Sequence, residues 1–316
     1  MTSDARNQLL TALNAVEAAC DEECVKNKDP EGQILRKGLC VTSFNVLEGF
    51  VAQRWEELAV YANGGVTQFD DLPEEMRRKI LERTLKVAAR RLGRIDKDDA
   101  SLTLFMKNIG LSLSKTSGDL ILSDLAGKWE GSNLNSTDLA DILKMLHVGN
   151  PWESMRELTA RFWSSTVNTD NTPSIDLAQT FRTISQNRHN AAHDMNYNAT
   201  LLQLRTLPSE IRKISFGFDV CASKAIEHLR SGNQYYLRDA NYIGSNDLTE
   251  YWVIEESEDK FITYFQGTDD PQYDEGAQDR YENSLRSIRQ RGKAHHPVIH
   301  LNAAGHVMDW TILGPG

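Results

Sequence analysis

At 316 residues the chain is long enough for two domains, or for one domain with appendages. With 40% hydrophobic and 25% charged residues it has a globular composition, and no apolar run approaches the length of a membrane-spanning helix. A net charge of −10 argues against a dedicated nucleic-acid coat, while leaving room for an enzyme with a local basic cleft.

Met1-Thr2-Ser3-Asp4-Ala5-Arg6 lacks the basic end and apolar core of a secretory signal. The four cysteines (Cys20, Cys24, Cys40, Cys221) show no zinc-type pairing, so a cytoplasmic protein with ordinary thiols is expected. Leu9, Leu10, Leu13, Val16, Ala19 and Cys20 predict a helix within 5–25, and Asp29-Pro30-Glu31-Gly32 then breaks the pattern; 1–35 reads as an N-terminal helix and linker. Leu39, Phe44, Leu47, Phe50, Val51, Trp55, Leu58 and Tyr61 predict a long helix over 35–63, ended by Gly64-Gly65. Pro73 suits the first turn of a helix over 73–93. From Arg77 to Arg94 there are eight Lys or Arg against one acid, Glu82. Leu81, Leu85, Ala88 and Leu92 form its expected buried stripe, with Lys79, Arg83, Lys86 and Arg90 facing outward, either simply solvated or touching an RNA backbone.

Further helices are expected over 99–113, over 138–147 after the cap signal Asn135-Ser136-Thr137, over 151–163, over 174–195, and over 208–230 after Pro208. The texture changes after Ser231-Gly232. Tyr235-Tyr236-Leu237, 251–254, 261–265, 297–301 and 307–312 read as strands, with a charged helix over 275–292. The predicted fold class is mainly α: a helical bundle over 36–231 followed by a small C-terminal α+β domain over 232–316.

The most informative stretch is Arg188-His189-Asn190-Ala191-Ala192-His193-Asp194. Leu177, Phe181, Ile184, Arg188 and Ala191 fall at i, i+4, i+7, i+11 and i+14, so the arginine continues an apolar stripe. Asp194-Met195-Asn196-Tyr197-Asn198 is rich in residues that end helices. A guanidinium can hold a phosphate bidentately, and a neutral imidazole can move protons near physiological pH. Five residues turn an ideal helix by about 500°, which leaves Arg188 and His193 about 140° apart. One straight helix therefore does not bring both to one phosphate.

This Arg-x4-His segment resembles the signature of the HEPN superfamily, and over 36–230 the chain is similar to RiboL-PSP-type members. The resemblance makes the bundle HEPN-like. It implies a metal-independent endoribonuclease acting as a homodimer, with both motif helices lining one cleft. It also implies roles: Arg188 holds the phosphate, His193 transfers protons, Asn190 donates to phosphate or fixes His193, and His189 assists or caps. An acid from an early helix is often used, for which Glu48 is the candidate. The chemistry implied is 2′-OH attack, giving a 2′,3′-cyclic phosphate and a 5′-OH, in a toxin or antiphage-defence setting. A protein inhibitor or trigger could act through the C-terminal domain. The alternative is a non-catalytic HEPN-like dimer serving as an adaptor. No cofactor, metal or membrane partner is expected; in His295-His296-x3-His300 and His306, His296 and His300 are at i, i+4 but Pro297 breaks a helix between them, and no nearby cysteine completes a site.

Overall fold

In the computed structural model, residues 3–93, 99–114, 120–163, 176–244, 250–257, 260–266, 273–274, 281–290, 296–303, 305 and 307–312 are described. Helix α1 (Asp4–Ala19) starts where the Ser3 hydroxyl accepts the Arg6 N–H, and α2 (Glu23–Lys26) is a single turn. Asp29 and Pro30 open a helix rather than a linker. Asp29 caps α3 (Pro30–Ala62) by accepting the Gly32 N–H at 2.7 Å, and Pro30 occupies the first turn, where its missing N–H costs nothing.

Phe44, Leu47, Phe50, Val51, Trp55 and Leu58 are all buried, so α3 is the spine on which α1, α8 and α9 pack. The helix α9 (Leu201–Arg230) begins seven residues before Pro208, which lies inside it. Thr200 and Gln203 form a capping box there, and Leu204 and Leu207 extend the buried stripe; cap and core together outweigh the proline. Between them lie α4 (Glu74–Leu92), α5 (Asp99–Ser114), α6 (Ser136–Met145), α7 (Pro151–Trp163) and α8 (Leu177–His193). No helix among the described residues is long and apolar enough to cross a membrane.

Tyr235-Tyr236-Leu237 is helical, not a strand. Asn233 caps α10 (Gln234–Arg238) by accepting the Tyr235 and Tyr236 N–H groups, which places Tyr236 in the core with its hydroxyl donating to Leu146 O at 3.0 Å. The four other expected strands form: β1 (Tyr251–Ser257), β2 (Lys260–Gln266), β4 (Pro297–Leu301) and β5 (Val307–Ile312). Tyr273–Asp274 adds a short β3, and α11 (Tyr281–Gln290) precedes β4. The sheet order is β3-β2-β1-β4-β5, with β1 and β4 parallel and the other pairs antiparallel.

Alternation decides what each face of the sheet meets. Trp252, Ile254, Phe265 and Val298 pack with Leu285 and Ile288 of α11. Val253, Ile299, Leu301, Val307 and Trp310 face the other way and belong to the same core as the helices. The C-terminal segment is thus a layer of the helical core rather than a free appendage.

A buried polar network fastens that layer. Asp219 on α9 accepts from Arg54 Nε at 2.6 Å, Ser223 Oγ at 2.9 Å and Trp310 Nε1 at 2.8 Å. Arg54 also donates to Glu57 at 2.7 Å, and Glu57 accepts the Ala5 N–H at 2.8 Å. Arg6 covers the β5 edge, donating to Trp310 O and Thr311 Oγ1 and pairing with Asp309 at 3.3 Å. Cys40 and Cys221 are buried free thiols that burial pushes up to about 11 and about 12.

Trp55 donates its indole N–H to Ser123 O at 3.0 Å, and its ring packs tightly against Gly127. A Cβ at Gly127 would lie only 2.0 Å from Trp55 Cγ. Gly127→Ala is therefore expected to destabilise the protein by about 1–3 kcal/mol or more. Urea denaturation measures it; an unchanged midpoint would show that Trp55 yields freely.

Candidate active site

Asp176 caps α8 by accepting the Gln179 N–H at 2.8 Å, and Leu177, Phe181 and Ile184 bury its inner face. Phe181 meets Phe44 of α3 edge-on at 5.9 Å and Trp152 of α7 at 5.7 Å. The same stripe carries Arg188, half-buried, towards α3, where its charge acts on Glu48. Glu48 is half-buried and accepts the Leu134 N–H at 2.5 Å. Burial pushes its carboxyl pKa up, against the opposing pull of the Leu134 N–H and of Arg188. The Arg188 Nε–H is buried without a hydrogen-bond partner among the described residues. Arg6, Arg77 and Arg212 share such an unmatched Nε–H; what sets Arg188 apart is the half-buried carboxylate of Glu48 beside it.

The α8 helix runs unbroken through the motif to His193, and the Asp194 N–H closes on Asn190 O at 2.8 Å. His193 therefore points away from Arg188, into solvent. Its ring lies 4.9 Å from that of His189, also exposed, and neither imidazole makes a hydrogen bond among the described residues. Asn190 accepts from Gln186 Nε2 at 2.7 Å, which orients its amide with the donating nitrogen outward. One copy thus separates the motif into two groups: an inward pair, Arg188 and Glu48, and an outward trio, His189, Asn190 and His193.

The basic helix differs from its sequence reading. Leu85 and Leu92 are 51% and 46% exposed, while Met76, Ile80, Thr84, Val87 and Ala88 are buried. The buried stripe is rotated by about one residue because Thr84 enters the core, its hydroxyl satisfied by Ile80 O at 2.8 Å. Arg83 is turned inward and donates to Ala126 O at 2.7 Å and Lys128 O at 3.0 Å, and burial pushes its pKa down. Lys79 pairs with Glu75 at 2.9 Å and Lys86 with Glu82 at 2.8 Å. A cavity of about 270 Å³ beside them is lined by Asp138, Asp141 and Glu130 as well as by these cations. Arg90, exposed next to Arg91, lies at a second cavity of about 220 Å³. This face is charge-balanced around Lys79, Arg83 and Lys86. Arg94 lies outside the described residues, as do His295 and His306. His300 meets Glu256 at 2.9 Å and His296 meets Glu250 at 3.5 Å, and no cluster among the described residues could hold a metal ion.

Sequence reasoning missed what fixes the far end of the motif. Lys37 of α3 donates to Asp194 O at 2.9 Å and Met195 O at 2.8 Å, Gln33 to Tyr197 O at 3.0 Å, and Arg36 to Ala199 O at 2.9 Å. The signal was present but weak: Gln33, Lys37 and Glu48 fall near one face of the helix at helical spacing, among several other polar residues.

A model of the RiboL-PSP-HEPN family matches residues 5–215. The match takes in α1 as well as Glu48, Arg188 and His193, so the first helix is part of the matched region. No curated protein and no solved structure shows a significant match to the chain.

Proposed function

The chain belongs to the RiboL-PSP-type HEPN family, and from that premise we propose that it is a metal-independent endoribonuclease working as a homodimer, an effector of toxin or antiphage type. The observation that carries this reading is the split of the motif. Arg188 keeps an unmatched buried donor beside a desolvated carboxylate, while His193 stands free in solvent at the end of the same straight helix. Two copies related by a two-fold axis would bring Arg188 of one copy towards His193 of the other, which a single helix does not do.

In this reading the 2′-OH attacks the adjacent phosphorus, the P–O5′ bond breaks, and the products are a 2′,3′-cyclic phosphate and a 5′-OH. His193 moves the protons and Arg188 stabilises the charge that builds on the phosphorane. Asn190 offers its amide N–H to a phosphate oxygen. His189 assists from one turn earlier, and Lys79, Lys86 and Arg90 reach RNA only at its flanks.

The test is incubation of total RNA with the purified protein in excess EDTA, followed by end-group analysis. Cutting with cyclic-phosphate ends supports the proposal, and DNA cut at the same site would sink it, since DNA lacks the attacking hydroxyl. The adaptor reading is favoured only by the half-burial of Arg188. An intact dimer that leaves RNA whole would support it. Inhibitor or trigger binding through the C-terminal layer is part of the same effector proposal.

Glu48 gives a pH prediction. Because burial raises its pKa, Glu48 still carries a proton where an exposed glutamate would be ionised. If its carboxylate serves the reaction, activity rises with pH through a midpoint above the ordinary carboxylate range. Glu48→Gln should remove that acidic limb and lower the rate by about 10²-fold or more. The same shift has a stability sign. The folded state binds the proton more tightly than the unfolded chain, so this group's contribution falls as pH rises through that window. Glu48→Gln is thus expected to leave stability at neutral pH equal or higher. A variant that loses stability and activity together would mark Glu48 as a packing residue.

A further inference from the structure

Immediately past the motif, residues 195–201 form one side of an open groove of about 740 Å³ whose other side is the corner between α2 and α3. That volume lies within the ~300–1,000 Å³ of small-molecule sites. We infer that this groove seats the base of a nucleotide flanking the scissile phosphate on single-stranded RNA; the inference rests on the ribonuclease reading above and names a subsite for it.

The loop is built as a rigid wall. Three of its carbonyls, at Met195, Tyr197 and Ala199, and that of Asp194 just before it are taken by Lys37, Gln33 and Arg36 of α3. Asp194 Oδ1 accepts the Asn196 N–H at 2.8 Å. Tyr197 and Ala199 turn inward, and Asn196 and Asn198 turn out. Neither of those two side-chain amides makes a hydrogen bond among the described residues, so both keep donors and an acceptor for an unpaired base edge. Such preorganisation is what a positional reader needs, because little ordering remains to be done on binding.

Charge fits the same occupant. Lys28 is exposed at the groove and makes no ion pair among the described residues, whereas Lys26 is shared with Asp21 at 3.8 Å; the carboxylate of Asp29, which also lines the groove, accepts the Gly32 N–H at 2.7 Å. A cation beside two free amides suits a phosphate attached to a base. Asn196 follows the proposed proton donor His193 by three residues, which keeps their Cα atoms within about 11 Å, a reach that a flanking nucleotide spans.

The experiment titrates fluorescein-labelled single-stranded oligo(A), oligo(C) and oligo(U) ribohexamers into His193→Ala protein, with and without Asn196→Ala/Asn198→Ala, by anisotropy. The double variant should bind about tenfold or more weakly, with its preference among the three bases flattened. Lys28→Ala should weaken all three alike and reduce the salt dependence. Absence of hexamer binding by the parent, or unchanged affinity and preference in the double variant, would overturn the inference. So would a loss of dimer on size exclusion with binding intact, since exposed Met195, Leu202 and Ile34 would then mark the rim as covered by a second copy. Cleavage by the double variant with His193 restored is read separately: RNA still cut, at altered positions, supports the subsite. Wild-type protein that never cuts RNA would count against the ribonuclease reading, with the titration still deciding the groove.

Discussion

Arg188→Ala and His193→Ala should each lower RNA cleavage by about 10²–10⁴-fold, the range for removing a positioned proton-transfer or charge-stabilising group. Both changes should leave the fold intact. His193 is exposed and makes no hydrogen bond among the described residues, and Arg188 gives up a guanidinium that is not satisfied in one copy.

The sharper form of this prediction comes from mixing the two variants. If each site takes Arg188 from one copy and His193 from the other, an Arg188→Ala/His193→Ala heterodimer carries one intact site and one doubly damaged site. Random exchange of subunits should then restore about a quarter of wild-type activity, since half the dimers are mixed and half their sites are whole. A site contained within one chain restores nothing. Heterodimers shown to form, yet inactive, would therefore refute the shared site while leaving the chemistry open.

Asp219→Ala should cost about 3–5 kcal/mol of stability, the expected loss when one partner of a buried ion pair is deleted and the other stays behind. Here the partner left behind is Arg54, 4% exposed and too deep to regain water, with Glu57 as its remaining acid. Trp310 and Ser223 lose an acceptor at the same stroke. Trp310→Phe is the milder test. It keeps most of the ring's packing against Phe216, at 5.6 Å, but leaves one carboxylate oxygen of Asp219 unmatched, for about 1–3 kcal/mol. Urea midpoints give the magnitudes, and limited proteolysis reports whether the C-terminal strands loosen first. If both variants unfold at the wild-type midpoint, the network does not fasten the sheet.

Much of the fold was legible because local signals agreed with burial. The stripe through Leu177, Phe181 and Ile184 found α8, the Asn135 cap found the start of α6, and alternating apolar runs found β1, β2, β4 and β5. Pro208 misled because a proline was read as a helix start, when the Thr200–Gln203 capping box already supplied one. The stripe of α4 was misplaced because a satisfied threonine behaves as a core residue although its composition reads as polar. Tyr235–Leu237 has aromatic content suited to a strand, but an asparagine cap set it as a turn of helix.

The candidate site divides in the same way. Sequence alone determined the helix that carries Arg188 and His193, their divergence around it and the polar turn that ends it, since these follow from residue order and a period of 3.6. Tertiary structure alone decided that Arg188 comes to Glu48, that Lys37, Gln33 and Arg36 lock the following loop, and that Trp310 closes on Asp219. Those partners lie some 90 to 165 residues apart in the chain. Periodicity reports which face of a helix is buried, but not what it is buried against, because that choice is made by the packing of distant segments.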